Sequence, residues 1–132
     1  MKIYSKINAE LLHIIHRGYE ITDGRVDIVP AEQFLQVAAL KLYGGQTFKA
    51  HKHIHNPRTV THAQDSWCVI KGKVLAMFYD LDNELICKVE LNAGDISVTL
   101  KGGHNYQALE PSVVYEYKTP QYEGQEKDKE FI

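Results

Sequence analysis

The sequence predicts an all-β domain, a sandwich or a barrel, and three observations carry that reading. Turn signals recur mostly eight to twelve residues apart, at Gly44-Gly45, Lys71-Gly72, Asp82-Asn83, Asn92-Ala93-Gly94, Gly102-Gly103 and Glu110-Pro111-Ser112. The runs between them are short and rich in Val, Ile, Leu and Tyr, as strands bounded by turns are. No segment after residue 18 carries a 3.6-residue apolar period, so long amphipathic helices are not expected.

Taken in order, the first element is the stretch 8–17. Asn8 can cap a short helix by accepting from an exposed backbone N–H, which puts Leu11, Leu12, Ile14 and Ile15 on one face. The β-branched pair Ile14-Ile15 followed by Gly18 fits a strand, and strand is the preferred reading. Such a strand can pair with a neighbouring subunit, since an open sheet edge templates further pairing. Strands are then expected over 34–43, 66–70, 74–80, 84–91, 96–100, 104–109 and 113–118, and over 45–53, leading out of the Gly44-Gly45 turn. The tail 119–132 is a solvated extension, mostly charged from 124 to 129, with Phe131 and Ile132 placed to dock back.

With 132 residues the chain forms one domain over 1–132, long enough for a real core. A composition of 44% apolar and 24% charged residues is that of a globular protein. Fifteen basic against 17 acidic residues leave no cationic excess for general nucleic-acid binding. Apolar runs of only a few residues fall far short of the ~20 that span a bilayer. The N-terminal stretch lacks an apolar run followed by a small-residue cleavage site, so a cytoplasmic location is expected, with Cys68 and Cys87 as buried free thiols.

Histidine is the unusual component. Four of seven fall within twelve residues: His51, His53, His55 and His62. On a strand, residues two apart share a face, so His51, His53 and His55 point the same way and two imidazoles can reach one metal ion. A His-rich surface strand fits the same spacing. Asp65 stands at the mouth of the next strand with a carboxylate to contribute. His104 follows Gly102-Gly103, where two glycines permit a close backbone approach. His51, His53, Asp65 and His104 thus make a mixed nitrogen and oxygen donor set suited to a divalent transition metal such as Fe, Mn, Ni, Co or Zn.

Gly45, His51 and His53, then Asp65 and Gly72, then Gly94, Gly102 and His104 together resemble the two motifs of the cupin superfamily. The likeness covers roughly residues 35–118, and the later Tyr115-Glu116-Tyr117-Lys118 and Tyr122 look like small single-domain bacterial cupins. The departures are specific. Asp replaces Glu at 65, eleven residues rather than three or four separate it from His53, Leu100 stands for Pro, and Ala108 closes the second motif in place of Asn. The long loop 54–64 carries His55, Arg58 and His62, and His55, His62 or Gln64 is an alternative donor to Asp65.

The resemblance implies a double-stranded β-helix, a small barrel with its site inside the wider mouth. Tyr43, Phe48, Trp67, Phe78 and Tyr106 are candidates for the cavity wall. Cupins include isomerases, epimerases and dioxygenases, and some accompany surface-polysaccharide sugar pathways. The leading expectation is therefore a metal-dependent enzyme on a small polar metabolite such as a sugar or sugar nucleotide. Tyr106, two residues beyond His104 on the same strand face, is the candidate proton donor. Lys52 and Arg58 are candidates to hold an anionic group. Two alternatives stand beside this: a metal-independent sugar-nucleotide isomerase or epimerase using His and Tyr as acid and base, and a binding module without turnover. A homodimer is expected, because open barrels leave edges and symmetric dimers are the commonest assembly.

Overall fold

The computed structural model describes residues 1–120 and 123–132; Tyr122 lies outside the described residues. The fold is all-β and antiparallel. Its strands are β1 (Lys2–Tyr4), β2 (Leu11–His16), β3 (Gly24–Asp27), β4 (Ala38–Lys41), β5 (Gln64–Lys71), β6 (Lys73–Tyr79), β7 (Leu85–Asn92), β8 (Ile96–Thr99), β9 (His104–Ala108) and β10 (Val113–Thr119). A single-turn helix, α1 (Gln125–Asp128), precedes the C-terminus.

Two main sheets form, one of five strands in the order β1-β2-β8-β5-β10 and one of three in the order β7-β6-β9, with β3 and β4 as a separate hairpin. The sheets do not close into a barrel. They pack face to face. Ile15 and Val69 of the larger sheet meet Val74, Ala76, Phe78 and Leu91 of the smaller one in a single buried cluster. In β6 the burial alternates strictly, with Val74, Ala76 and Phe78 turned inward, as a half-buried strand requires. The outer face of the five-stranded sheet is covered too. Ile14, Val98 and Leu100 pack against Val29, with Ile28, Leu35 and Val37 around them. Strand β2 is therefore buried on both faces, which explains its near-continuous apolar run.

The strands after residue 63 fall where the alternation predicts, within one or two residues. Residues 8–17 contain a strand, as preferred. It lies between β1 and β8, however, so both its edges are satisfied inside the chain and it cannot pair with a neighbouring subunit. The run 34–43 shortens to β4, because Leu35 and Val37 are used to cover the large sheet rather than to extend the hairpin. The expected strand over 45–53 does not form: residues 42–63 contain neither strand nor helix, and no ladder imposes alternation there. Strands β1 and β3 were not expected. Cys68 and Cys87 are free, and both are half-buried rather than buried. No helix among the described residues is long and apolar enough to cross a membrane.

Candidate functional site

The register of the five-stranded sheet builds the site. His13 pairs with Thr99, Thr99 with Asp65, and Asp65 with Lys118, so four polar side chains form one row across the inner face. The next row, one strand step toward the core, is Ile15, Ser97, Trp67 and Glu116. The opposing sheet places His104 beside Phe78 and Tyr106 beside Ala76. The interior is thus apolar at one end and polar at the other, and His104 and Tyr106 reach across onto the two polar rows.

The contacts are specific. His104 Nε2 lies 3.1 Å from Asp65 Oδ2, in a pair whose carboxylate is nearly buried and whose imidazole is partly open. The second carboxylate oxygen, Asp65 Oδ1, is buried with no hydrogen-bond partner. A buried carboxylate oxygen without a partner is costly, so this atom has the capacity to accept from a ligand that enters beside it. Tyr106 stacks on Trp67 with ring centroids 4.0 Å apart and planes within 11°. Its hydroxyl is 2.9 Å from Ser97 Oγ. Burial pushes the phenol well above its ordinary value, and the Asp65 and Glu116 charges push the same way against the hydroxyls of Ser97 and Thr99. Tyr106 therefore keeps its proton at neutral pH.

His13 anchors the back of the row. Its Nδ1 is 3.2 Å from the Thr99 hydroxyl and its Nε2 3.3 Å from the Tyr79 carbonyl. A carbonyl only accepts, so Nε2 carries the proton and Nδ1 accepts from Thr99. Burial lowers the imidazole to about 4, opposed by the Tyr79 carbonyl, so the ring is neutral. Its ring packs on Phe78 with centroids 4.6 Å apart.

Two glycines make room for this arrangement. Gly102 has φ of 78°, and a side chain there would meet the Tyr79 carbonyl oxygen at 2.5 Å and His13 Nε2 at 3.3 Å. Gly103 leaves the space into which Ile132 folds, since an added Cβ would come to 2.5 Å from Ile132 Cδ1. A cavity of about 630 Å³ results, walled by Asp65, Trp67, His104, Tyr106 and Lys118 and closed on one side by residues 129–132. Ile132 reaches back to Gly103, while Phe131 stays exposed on the rim. A wider hollow of about 810 Å³ lies at the other end of β2 and β8. There Arg17 is already bound to Asp95 at 2.7 Å, so its charged groups satisfy one another.

The sequence-predicted donors separate into two groups. Asp65 and His104 meet. His51 and His53 lie exposed on the irregular segment, where their rings form an edge-on pair with centroids 5.7 Å apart and His51 Nδ1 bonds to the Lys49 carbonyl at 3.0 Å. Among the described residues, no three His, Cys, Asp or Glu side chains gather to hold a metal ion. Asp65 Oδ1 is free to take a cation, but two of the four expected ligands are elsewhere, so the four-donor centre does not fit the residues as placed. His55, Lys52 and Arg58 are exposed on the same segment.

Gln64 and His62 are committed to the outer face. Gln64 accepts from the Leu35 amide at 2.9 Å and donates to Gln33 at 2.7 Å, while His62 Nε2 donates to the Leu100 carbonyl at 3.1 Å. They clamp the covering segment and do not replace Asp65. Of the expected wall aromatics, Trp67 and Tyr106 line the cavity, Phe78 is core, and Tyr43 and Phe48 are exposed. Sequence reading missed His13, Thr99 and Ser97. The one signal for His13 was an imidazole inside the apolar run Leu11-Leu12-His13-Ile14-Ile15. Comparison of the chain with protein-family models, with curated proteins and with solved structures finds no match.

Proposed function

We propose that the protein is a cupin-like isomerase or epimerase that moves a proton next to a carbonyl of a small polar metabolite, of the sugar class. The contact between Asp65 and His104 inside a cavity that also holds Tyr106 carries this reading. An Asp that accepts from one imidazole nitrogen fixes the tautomer and leaves the other nitrogen as a base, as in hydrolase triads. His104 takes the proton from the carbon beside the carbonyl, and Asp65 stabilises the imidazolium that forms. Tyr106 gives its proton to the carbonyl oxygen as the enediol forms, His104 returns its proton to the adjacent carbon, and the hydroxyl next to it gives its proton back to the Tyr106 oxygen as the new carbonyl forms; an epimerisation would need the intermediate to turn its other face to His104. No electrons are exchanged with a cofactor in this sequence.

The walls suit a polyhydroxylated ligand with little net charge. Of the cations lining the cavity, Lys118 lies 3.4 Å from Glu116 and Lys101 is bound to Glu10, while Lys129 stands on the rim. The edge of the Trp67–Tyr106 stack offers an apolar surface, and Asp65 Oδ1 accepts a ligand hydroxyl.

A panel of aldoses, ketoses and their nucleotide conjugates, incubated with the protein in deuterated water, tests the proposal. The expected result is deuterium at the carbon beside the carbonyl of one class, insensitive to chelator, and at least about 100-fold slower with His104→Gln. Ligands that stabilise the protein without exchanging a proton would assign a binding module instead. Exchange that disappears with chelator and returns with a divalent metal would restore the metal-dependent reading.

A further inference from the structure

The cavity is completed by residues 129–132, which belong to no strand or helix. Phe131 and Ile132 are 81% and 59% exposed, so the segment lies on the rim and is not part of the core. Its seat is specific: Ile132 Cδ1 occupies the position that any side chain at 103 would take. A segment resting in a notch made by a glycine can be displaced without unfolding either sheet, because neither ladder includes it.

We infer that residues 129–132 form a retractable wall that sets access to the cavity and the size of ligand it admits. Seated, the wall leaves space for a compact ligand beside Asp65 and His104. A ligand carrying a bulky extension on that side enters only with Ile132 lifted from Gly103. The inference rests on the cavity being the ligand site, but it concerns the wall and not the acid–base chemistry.

Trp67 is the single tryptophan of the chain and lines the cavity, so its quenching by acrylamide reads access directly and needs no substrate. Two substitutions in the full chain attack the seat from opposite sides. Ile132→Gly removes the side chain that docks. Gly103→Ala fills the notch, and the atom in its way is the far end of a flexible side chain, with Tyr79 Cβ next at 3.2 Å. Both variants are expected to steepen the quenching of Trp67 by at least roughly twofold, since each raises the population with the wall open. An unchanged slope in Ile132→Gly overturns the inference whatever Gly103→Ala does. A rise in Ile132→Gly alone overturns the seat at Gly103. Because no ligand is used, the outcome stands whether or not His104→Gln abolishes proton exchange.

Discussion

Asp65 and His104 belong to paired strands, while His51 and His53 belong to a segment with no strand partner, and the contrast shows what makes a side chain part of a site. Asp65 is held in register with Thr99 on one side and Lys118 on the other, and His104 with Phe78. Asp65 has its direction fixed by two ladders and His104 by one, and the packing of one sheet on the other brings them together. Their 3.1 Å contact follows from that framework. His51 and His53 are two residues apart, but without a ladder their spacing dictates no shared face, and their rings pair with each other away from Asp65. Residue type and spacing are equal in promise for both pairs. Pre-organisation distinguishes them, and a functional group held by rigid elements loses less freedom on engaging a ligand.

The largest effect should come from removing the support beneath the ordered pair. Phe78 is fully buried between the sheets, beside His104 and under His13. Phe78→Ala is expected to cost about 3–5 kcal/mol, read from urea denaturation. A cost below about 1 kcal/mol would mean that the packing of the two sheets does not hold the pair in place.

A smaller effect is expected from pH. The His13 imidazole has an ordinary value of 6.5 and is lowered to about 4 by burial, with His104, Asp65 and Asp80 as the titratable groups around it. The unfolded chain therefore takes up a proton before the folded one as pH falls. Stability from this group is complete above pH 6.5 and is lost as pH drops toward 4. The loss amounts to roughly 3 kcal/mol across the window. Denaturation curves of the wild type and His13→Gln between those limits should differ in slope, the variant being flatter. Parallel curves would place His13 in a solvated setting.

The smallest effect is the most informative about the contrast. The double substitution His51→Ala/His53→Ala should change stability by less than about 0.5 kcal/mol, as exposed positions do. It should also leave proton exchange intact. Loss of exchange, or loss of a bound metal found in the wild type by mass spectrometry, would show that the segment closes over Asp65 and His104 in the working protein. The two pairs would then be halves of one centre.

Much of the fold was legible in advance. From Gln64 to Thr119 the alternation of apolar residues and the regular glycine turns located β5 to β10, because a period of two is written into each strand by which residues it must bury. Strands β1 and β3 escaped notice because three or four residues carry too little pattern. Half of the candidate site was also legible. Asp65, His104 and Tyr106 could be named from their places at strand starts and on one strand face. His13 could not, since an imidazole in an apolar run reads as an interruption until its partners, Thr99 and the Tyr79 carbonyl, are known to converge from other strands.

The sequence by itself determined the class of fold, the strands of the second half, the glycines that let the backbone pass close to His13, and the residue types from which a site can be made. Each of these is a local consequence of side-chain size, period and backbone freedom. Only the tertiary structure decided which histidine met which carboxylate, that Asp65 keeps one oxygen unpartnered, and that residues 129–132 wall the cavity. Those facts depend on register between distant strands and on the stacking of one sheet over another, which no stretch of neighbouring residues encodes alone.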